Sequence, residues 1–213
     1  MGDRSARTHG CAYRGCETLA VTISAMTTIV AVQYRDKVLL GADSQVTAGN
    51  GQVANHSQMA KISKRGEFLI AGSGECAPCD IAQHIWMPPK PSNAELDDLY
   101  HFMIARVIPS LKQCFKDNEY KWNEADEDGE TKFAFLIAIG GTIFEIADDM
   151  SISLDSKGIY GIGSGSGYAI GALAQGATIE EALKISAKYD AYTSAPFTFL
   201  EQHKKKVAPS HKK

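Results

Sequence analysis

The glycine-rich run Gly161-Ile-Gly-Ser-Gly-Ser-Gly167 is the first stretch whose residue types could do chemistry. Its backbone amides could cradle a phosphate, or its small residues could let the chain approach a partner closely and leave Ser164 in an exposed turn. A dinucleotide fingerprint needs a strand before the glycines and an acidic residue about twenty positions later, a part that Asp190 could take. A P-loop is excluded, because no Lys-Ser or Lys-Thr follows. Asp43 ends the apolar run 38–42 and is either a solvated loop carboxylate or the partner of a buried cation. Lys61, in Met59-Ala-Lys-Ile62, is either a snorkelling surface lysine or a partly buried one. Burial lowers a lysine pKa and a nearby carboxylate raises it, so a Lys–Asp pair can tune a neighbouring base. Cys76-Ala-Pro-Cys79 has redox spacing, but it follows a glycine-rich turn rather than a strand leading into a helix. It therefore reads as two ordinary buried thiols.

The elements that must position these residues follow from periodicity and turn chemistry. The β-branched run 27–32 and the apolar run 38–42 predict two strands joined by a polar turn at Arg35-Asp36-Lys37. The stretch 46–57, rich in Gly and Asn, predicts a loop, and 66–72 a short buried strand. A helix is expected over 80–86, ended by Pro88-Pro-Lys-Pro91. Ser92 with Glu95 forms a capping box that opens a longer helix to about Cys114, with Pro109 able to kink it. The acidic run 124–130 predicts a solvated loop, since its carboxylates lack the turn geometry of a calcium site. Strands are predicted over 133–139, 142–147 and 152–154, the first two joined by Gly140-Gly141. Helices follow over 168–175 and, from the capping box Thr178/Glu181, to about Lys188, with a last strand at 197–200. Segregated runs of strands and helices indicate an α+β fold, and two antiparallel sheets with helix pairs outside would bury the pattern.

At 213 residues, with 44% apolar and 22% charged residues, the chain fits one domain with a full core. A formal charge of -3 argues against a nucleic-acid binder. The basic cluster of Lys204 to Lys206, Lys212 and Lys213 reads as a solvated tail. Five cysteines do not make a disulfide framework, and no second Cys or His pair supplies the ligands of a metal site, so no metal or cofactor is expected. No apolar stretch is long enough to span a membrane, and the patch 19–23 is too short for a signal peptide. The expected location is cytoplasmic.

Taken together, the residues named above fall into a family pattern. Met26-Thr27-Thr28-Ile29-Val30, followed by Gly41-Ala42-Asp43-Ser44-Gln45-Val46-Thr47, resembles the opening of the bacterial HslV peptidase and of proteasome β-subunits. Lys61-Ile62 resembles the family's active-site lysine after a small insertion, and Leu69-Ile-Ala-Gly72 the strand that ends in its oxyanion-hole glycine. Ile162-Gly-Ser-Gly165 is similar to the family's serine-bearing turn, and Tyr189-Asp190-Ala191-Tyr192-Thr193-Ser194 to its Arg-Asp-Ala-Tyr-Ser-Gly segment. The resemblance covers about 27–200. It implies a four-layer αββα sandwich, the N-terminal-nucleophile (Ntn) hydrolase fold, over 27–201, with 1–26 a propeptide, extension or mis-assigned start and 202–213 a basic tail.

The resemblance also implies a mechanism and partners. Thr27 would be the nucleophile and its free α-amino group, with pKa near ~8, the base. Lys61, oriented by Asp43, would depress that amine's pKa, and the Gly72 amide would stabilise the oxyanion. Ser164, Asp190 and Thr193 would hold the amine and a shuttling water. The implied substrate is unfolded polypeptide inside a stacked homo-oligomeric ring, hexameric or heptameric, fed by an ATP-driven AAA+ unfoldase. Specificity would be set near Met59, Ala60 and Ser73. Met26 stands where self-processing members carry glycine, so translation from Met26 with removal of that methionine is one expected route to the amine. Ser194 stands where glycine is usual. Two other readings are an inactive ring subunit and an Ntn-type amidase acting on a small amide.

Overall fold

The computed structural model describes residues 24–25, 27–47, 53–55, 60–122 and 132–204. Two antiparallel sheets lie face to face. The first contains β1 (Ser24–Ala25), β6 (Ile62–Arg65), β7 (Phe68–Glu75), β8 (Phe133–Ile139), β9 (Thr142–Ile146) and β10 (Ile152–Ser153), in the order β1-β7-β8-β9-β10 with β6 also on β7. The second has the order β11-β2-β3-β12, from β2 (Ile29–Gln33), β3 (Lys37–Ala42), β11 (Ile159–Ile162) and β12 (Thr198–His203). A separate hairpin pairs β4 (Gln45–Thr47) with β5 (Val53–Asn55).

Alternation along the strands builds three apolar layers. On β8, Phe133, Phe135, Ile137 and Ile139 face a helical layer, while Leu136 and Ala138 face the other sheet. On β7, Phe68 and Ile70 divide from Leu69 and Ala71 in the same way. Ile29 and Ala31 of β2 enter the layer between the sheets, and Val30 packs beneath the second helical layer. Successive side chains of a strand point to opposite faces, so strands apolar on both faces must be covered twice. The cover on one side is α1 (Cys76–Asp80), α3 (Leu99–Phe102), α4 (Ile108–Asp117) and the π-helical turns Ile81–Ile85 and Met103–Val107, while α2 (Asn93–Leu96) buries no residue. On the other side it is α5 (Ser166–Ala174) and α6 (Ile179–Tyr189). The result is the expected αββα order of layers.

Several local expectations are corrected. The predicted loop 46–57 contains the β4–β5 hairpin, because Gln45 and Thr47 alternate inward and anchor one edge of the site. Strand β6 escaped prediction, since only Ile62 is apolar on its inner face. The predicted strand 66–72 begins at Phe68 and runs on to Glu75, and α1 starts directly at Cys76, so the Cys76/Cys79 pair does stand at a strand-to-helix junction. The single long helix from Ser92 is broken into α2, α3, a π-helical turn at Met103–Val107 and α4. That wide turn immediately precedes Pro109, which sits in the first turn of α4, where its missing N–H costs least. Both capping boxes form as expected. Gly140 and Gly141 turn with φ of 60° and 79°, the left-handed pair that a two-residue hairpin requires. The acidic run 124–130, residues 1–23 and the lysines beyond Lys204 lie outside the described residues.

Candidate active site

Most candidate residues stand at the end of an element, with Gly72 inside β7 and Thr193 in the connection from α6 to β12. Thr27 and Thr28 lead into β2, Asp43 follows β3 and Lys61 precedes β6. Gly72 lies within β7, Gly163 to Gly165 connect β11 to α5, and Asp190 caps the C-terminal end of α6. Antiparallel pairing of β2 with both β3 and β11 gathers three of these ends at Ile29, because Ala42 and Ile162 both register against it.

Asp43 and Lys61 form a buried ion pair, with Lys61 Nζ 2.8 Å from Asp43 Oδ1 and side-chain exposures of 6% and 0%. The carboxylate also accepts from the amides of Thr28 (2.9 Å), Gln45 (2.9 Å) and, longer, Ser194 (3.4 Å). Lys61 Nζ donates in addition to the Gln45 carbonyl at 2.5 Å. Burial lowers the Lys61 pKa below its ordinary value, and the Asp43 carboxylate opposes that shift. Sequence had left both residues with a surface alternative; the packing of β3 against β6 removes it for both.

A second network runs through hydroxyls. Thr193 Oγ1 donates to Asp190 Oδ2 at 2.5 Å, which leaves Thr28 as the donor to Thr193 Oγ1 at 2.5 Å. Ser164 Oγ donates to the same Asp190 oxygen at 3.0 Å. Thr28 therefore joins the two networks, with its amide on Asp43 and its hydroxyl on Thr193. Thr27 itself is fully buried, and its carbonyl lies against Gly163, where a Cβ would collide with it and where φ is +89°. A Cβ on Gly165 would run into Thr28 Oγ1 and come within 2.8 Å of Thr193 Oγ1. Glycine at both positions is a matter of space for the threonines rather than of phosphate binding. The dinucleotide reading fails on topology, since β11 is antiparallel to β2 and Asp190 is committed to hydroxyls.

The Gly72 amide, expected to serve the oxyanion, donates to the Lys61 carbonyl at 3.2 Å, just before β6 begins on β7. Three residues escaped the sequence reading. Thr28 bridges the networks, Gln45 supplies an amide to Asp43 and a carbonyl to Lys61, and Ser186 fixes Gly165 by donating to its carbonyl at 2.9 Å. Only the alternation of Gln45, Val46 and Thr47 offered a signal for any of them. Of the expected specificity positions, Ala60 is exposed, Ser73 is buried, and Met59 lies outside the described residues. Among the described residues there is no group of His, Cys, Asp and Glu side chains able to hold a metal, and no helix long and apolar enough to cross a membrane.

One further feature touches the site. Ser24 and Ala25 pair antiparallel with Glu75 and Gly74 on the same edge of β7 that β6 occupies. The chain thus arrives at Thr27 as an extended strand added to the sheet.

No protein-family model matches the chain, and no curated protein matches it. Solved structures do. Thiobacillus denitrificans BPH in complex with epoxomicin superposes with a TM-score of 0.65 at 20% identity, covering 84% of this chain and 100% of that one. A second structure of Thiobacillus denitrificans BPH gives 0.63 at 19% identity, covering 83% and 98%. Eukaryotic HslV from Trypanosoma brucei gives 0.57 at 20% identity, covering 82% and 98%. The chain has the fold of these proteins.

Proposed function

We propose that the chain is a threonine endopeptidase of the Ntn-hydrolase class, with Thr27 as nucleophile once the residues before it are removed. The observation that carries the reading is the buried Asp43–Lys61 pair beside the start of β2, in a fold shared with HslV. A buried lysine of lowered pKa, paired with the carboxylate that also holds the Thr28 amide, is costly to maintain for stability alone, and such perturbed groups concentrate at functional sites. The freed Thr27 amine would take the hydroxyl proton as the oxygen attacks a peptide carbonyl, and later return it to the leaving amine. Lys61 would hold part of that amine neutral by its positive charge. Asp190, with Ser164 and Thr193, would fix the protons around it. The long Gly72–Lys61 bond can be shared with, or exchanged for, a developing oxyanion.

Extended polypeptide is the substrate that this edge suits, since Ser24 and Ala25 already occupy β7 as an added strand. A homo-oligomeric ring, an AAA+ unfoldase that feeds it and a cytoplasmic location complete the proposal. The same pairing favours a second reading, a latent or inactive subunit, because the Thr27 nitrogen is a peptide amide for as long as the preceding residues remain attached.

Intact mass and N-terminal sequencing of the purified protein decide between them, together with turnover of a fluorogenic peptide. A chain beginning at Thr27 is expected to cleave the peptide, and Thr27→Ala to lose on the order of 10³-fold or more. A protein that begins at Thr27 yet cleaves nothing, or a Thr27→Ala variant that retains the rate, would defeat the proposal.

A further inference from the structure

Cys79 is a core residue of the helical layer and Cys76 lies beside it, and the proposed mechanism uses neither sulfur. β7 runs without a loop into α1, whose first residue is Cys76 and whose single turn brings Cys79 onto the same face. Cys79 is buried, and its sulfur packs on the backbone of Gly72, so that a Cβ there would lie 2.7 Å from it. Cys76 is partly exposed. Burial, and after it the Cys76 sulfur, push the Cys79 thiol well above its ordinary pKa, so it reacts as a thiol, with the Lys61 ammonium a small opposing influence. Lys61 is also within electrostatic reach of Cys76. We propose that Cys76 and Cys79 form a reversible dithiol–disulfide site whose oxidation by a hydroperoxide switches off the Thr27 centre. The switch rests on the peptidase reading; the dithiol chemistry does not.

The geometry provides one accessible sulfur and one sheltered sulfur. Residues three apart on a helix hold their Cβ atoms about 5–6 Å apart, and a disulfide needs about 3.8 Å. The turn must therefore tighten. It can do so locally, because Glu75 gives α1 no side-chain cap and the helix passes at once into a π-helical turn at Ile81–Ile85. In the first step the Cys76 thiolate attacks the peroxide oxygen. The sulfur is oxidised to sulfenic acid, the O–O bond breaks and hydroxide leaves. In the second step the Cys79 sulfur attacks the Cys76 sulfur, the S–S bond forms, and the sulfenic oxygen departs as water with the thiol proton. Two thiols and one hydrogen peroxide become a disulfide and two waters, and a dithiol reductant reverses the change. Drawing Cys79 toward Cys76 removes its sulfur from Gly72, whose amide is tied to the Lys61 carbonyl, and shifts the part of β7 on which an extended peptide would pair.

The test uses the full purified chain, reduced, then treated with hydrogen peroxide, blocked with an alkylating agent and digested with trypsin. The peptide spanning 66–106 contains Cys76, Cys79 and no other cysteine. It is expected to resist alkylation after peroxide, to be lighter by two hydrogens, and to recover both thiols with dithiothreitol. In Cys76→Ser the bridge cannot form. Two alkylated cysteines after peroxide, a stable sulfinic acid on Cys76, or a bridge to Cys114 would overturn the dithiol site. In parallel, the ratio of oxidised to reduced peptide turnover is expected to fall on the order of tenfold to a hundredfold, the cost of small misplacements at a reacting centre. Reductant should restore it, and neither Cys76→Ser nor Cys79→Ala should show the fall. A bridge that forms without changing the rate removes the switch. Reduced protein that turns over no peptide sinks the peptidase reading instead, while the peptide mass still decides the dithiol.

Discussion

Asp43 accepts from the Lys61 ammonium and from the amides of Thr28 and Gln45, all buried, and from the amide of the half-buried Ser194. Removing Lys61 leaves that carboxylate buried with only the backbone donors to satisfy it. Breaking one side of such a pair costs about 3–5 kcal/mol, and the remaining amides place Lys61→Met at the lower end of that range. Denaturant unfolding measures the loss directly. A value below about 1 kcal/mol, the scale of an exposed pair, would mean that the pair is solvated in solution. Neither partner announced itself in sequence. A lone aspartate after an apolar run is ordinary, and Lys61 between apolar neighbours is compatible with the surface. What made them legible was their order relative to Thr27, a pattern of family resemblance and not of local chemistry.

Among the elements, α2 carries a titration that its sequence foretold. Glu95 receives the Ser92 amide at 2.8 Å and, second in effect, the Arg106 guanidinium, and these hold its carboxyl down at about 2, from the ordinary 4.5. A carboxylate whose pKa is depressed by folding contributes stability above its unfolded pKa and loses it as pH falls through the folded one. The difference in thermal midpoint between the protein and Glu95→Gln should therefore be present at pH 6, shrink from about pH 4.5 downward and vanish near pH 2. A difference that stays constant over that interval would show that the box does not form. Boxes of this kind are written in four consecutive residues, so they could be read at once. β4, β6 and β11 could not, because each is short and takes its order from a neighbouring strand rather than from its own periodicity.

At the scale of the whole molecule, the proposed ring makes a claim about mass. Native mass spectrometry of the purified protein should show six or seven copies, or twice that number if rings stack. A monomer at micromolar concentration that still cleaves peptide would separate the chemistry from the assembly and return the small-amide reading to consideration. The sequence by itself determined the α+β class, most strands, both capping boxes and the order of the candidate residues. These depend on side-chain alternation, turn residues and spacing, which are properties of neighbours along the chain. Only the tertiary structure decided that Asp43 and Lys61 pair away from water, that Thr28 joins them to Thr193 and Asp190, that the Gly72 amide is engaged and that Cys79 packs on that glycine. Burial and hydrogen-bond partnership across distant segments are created when the two sheets close on each other, and no local stretch of sequence carries them.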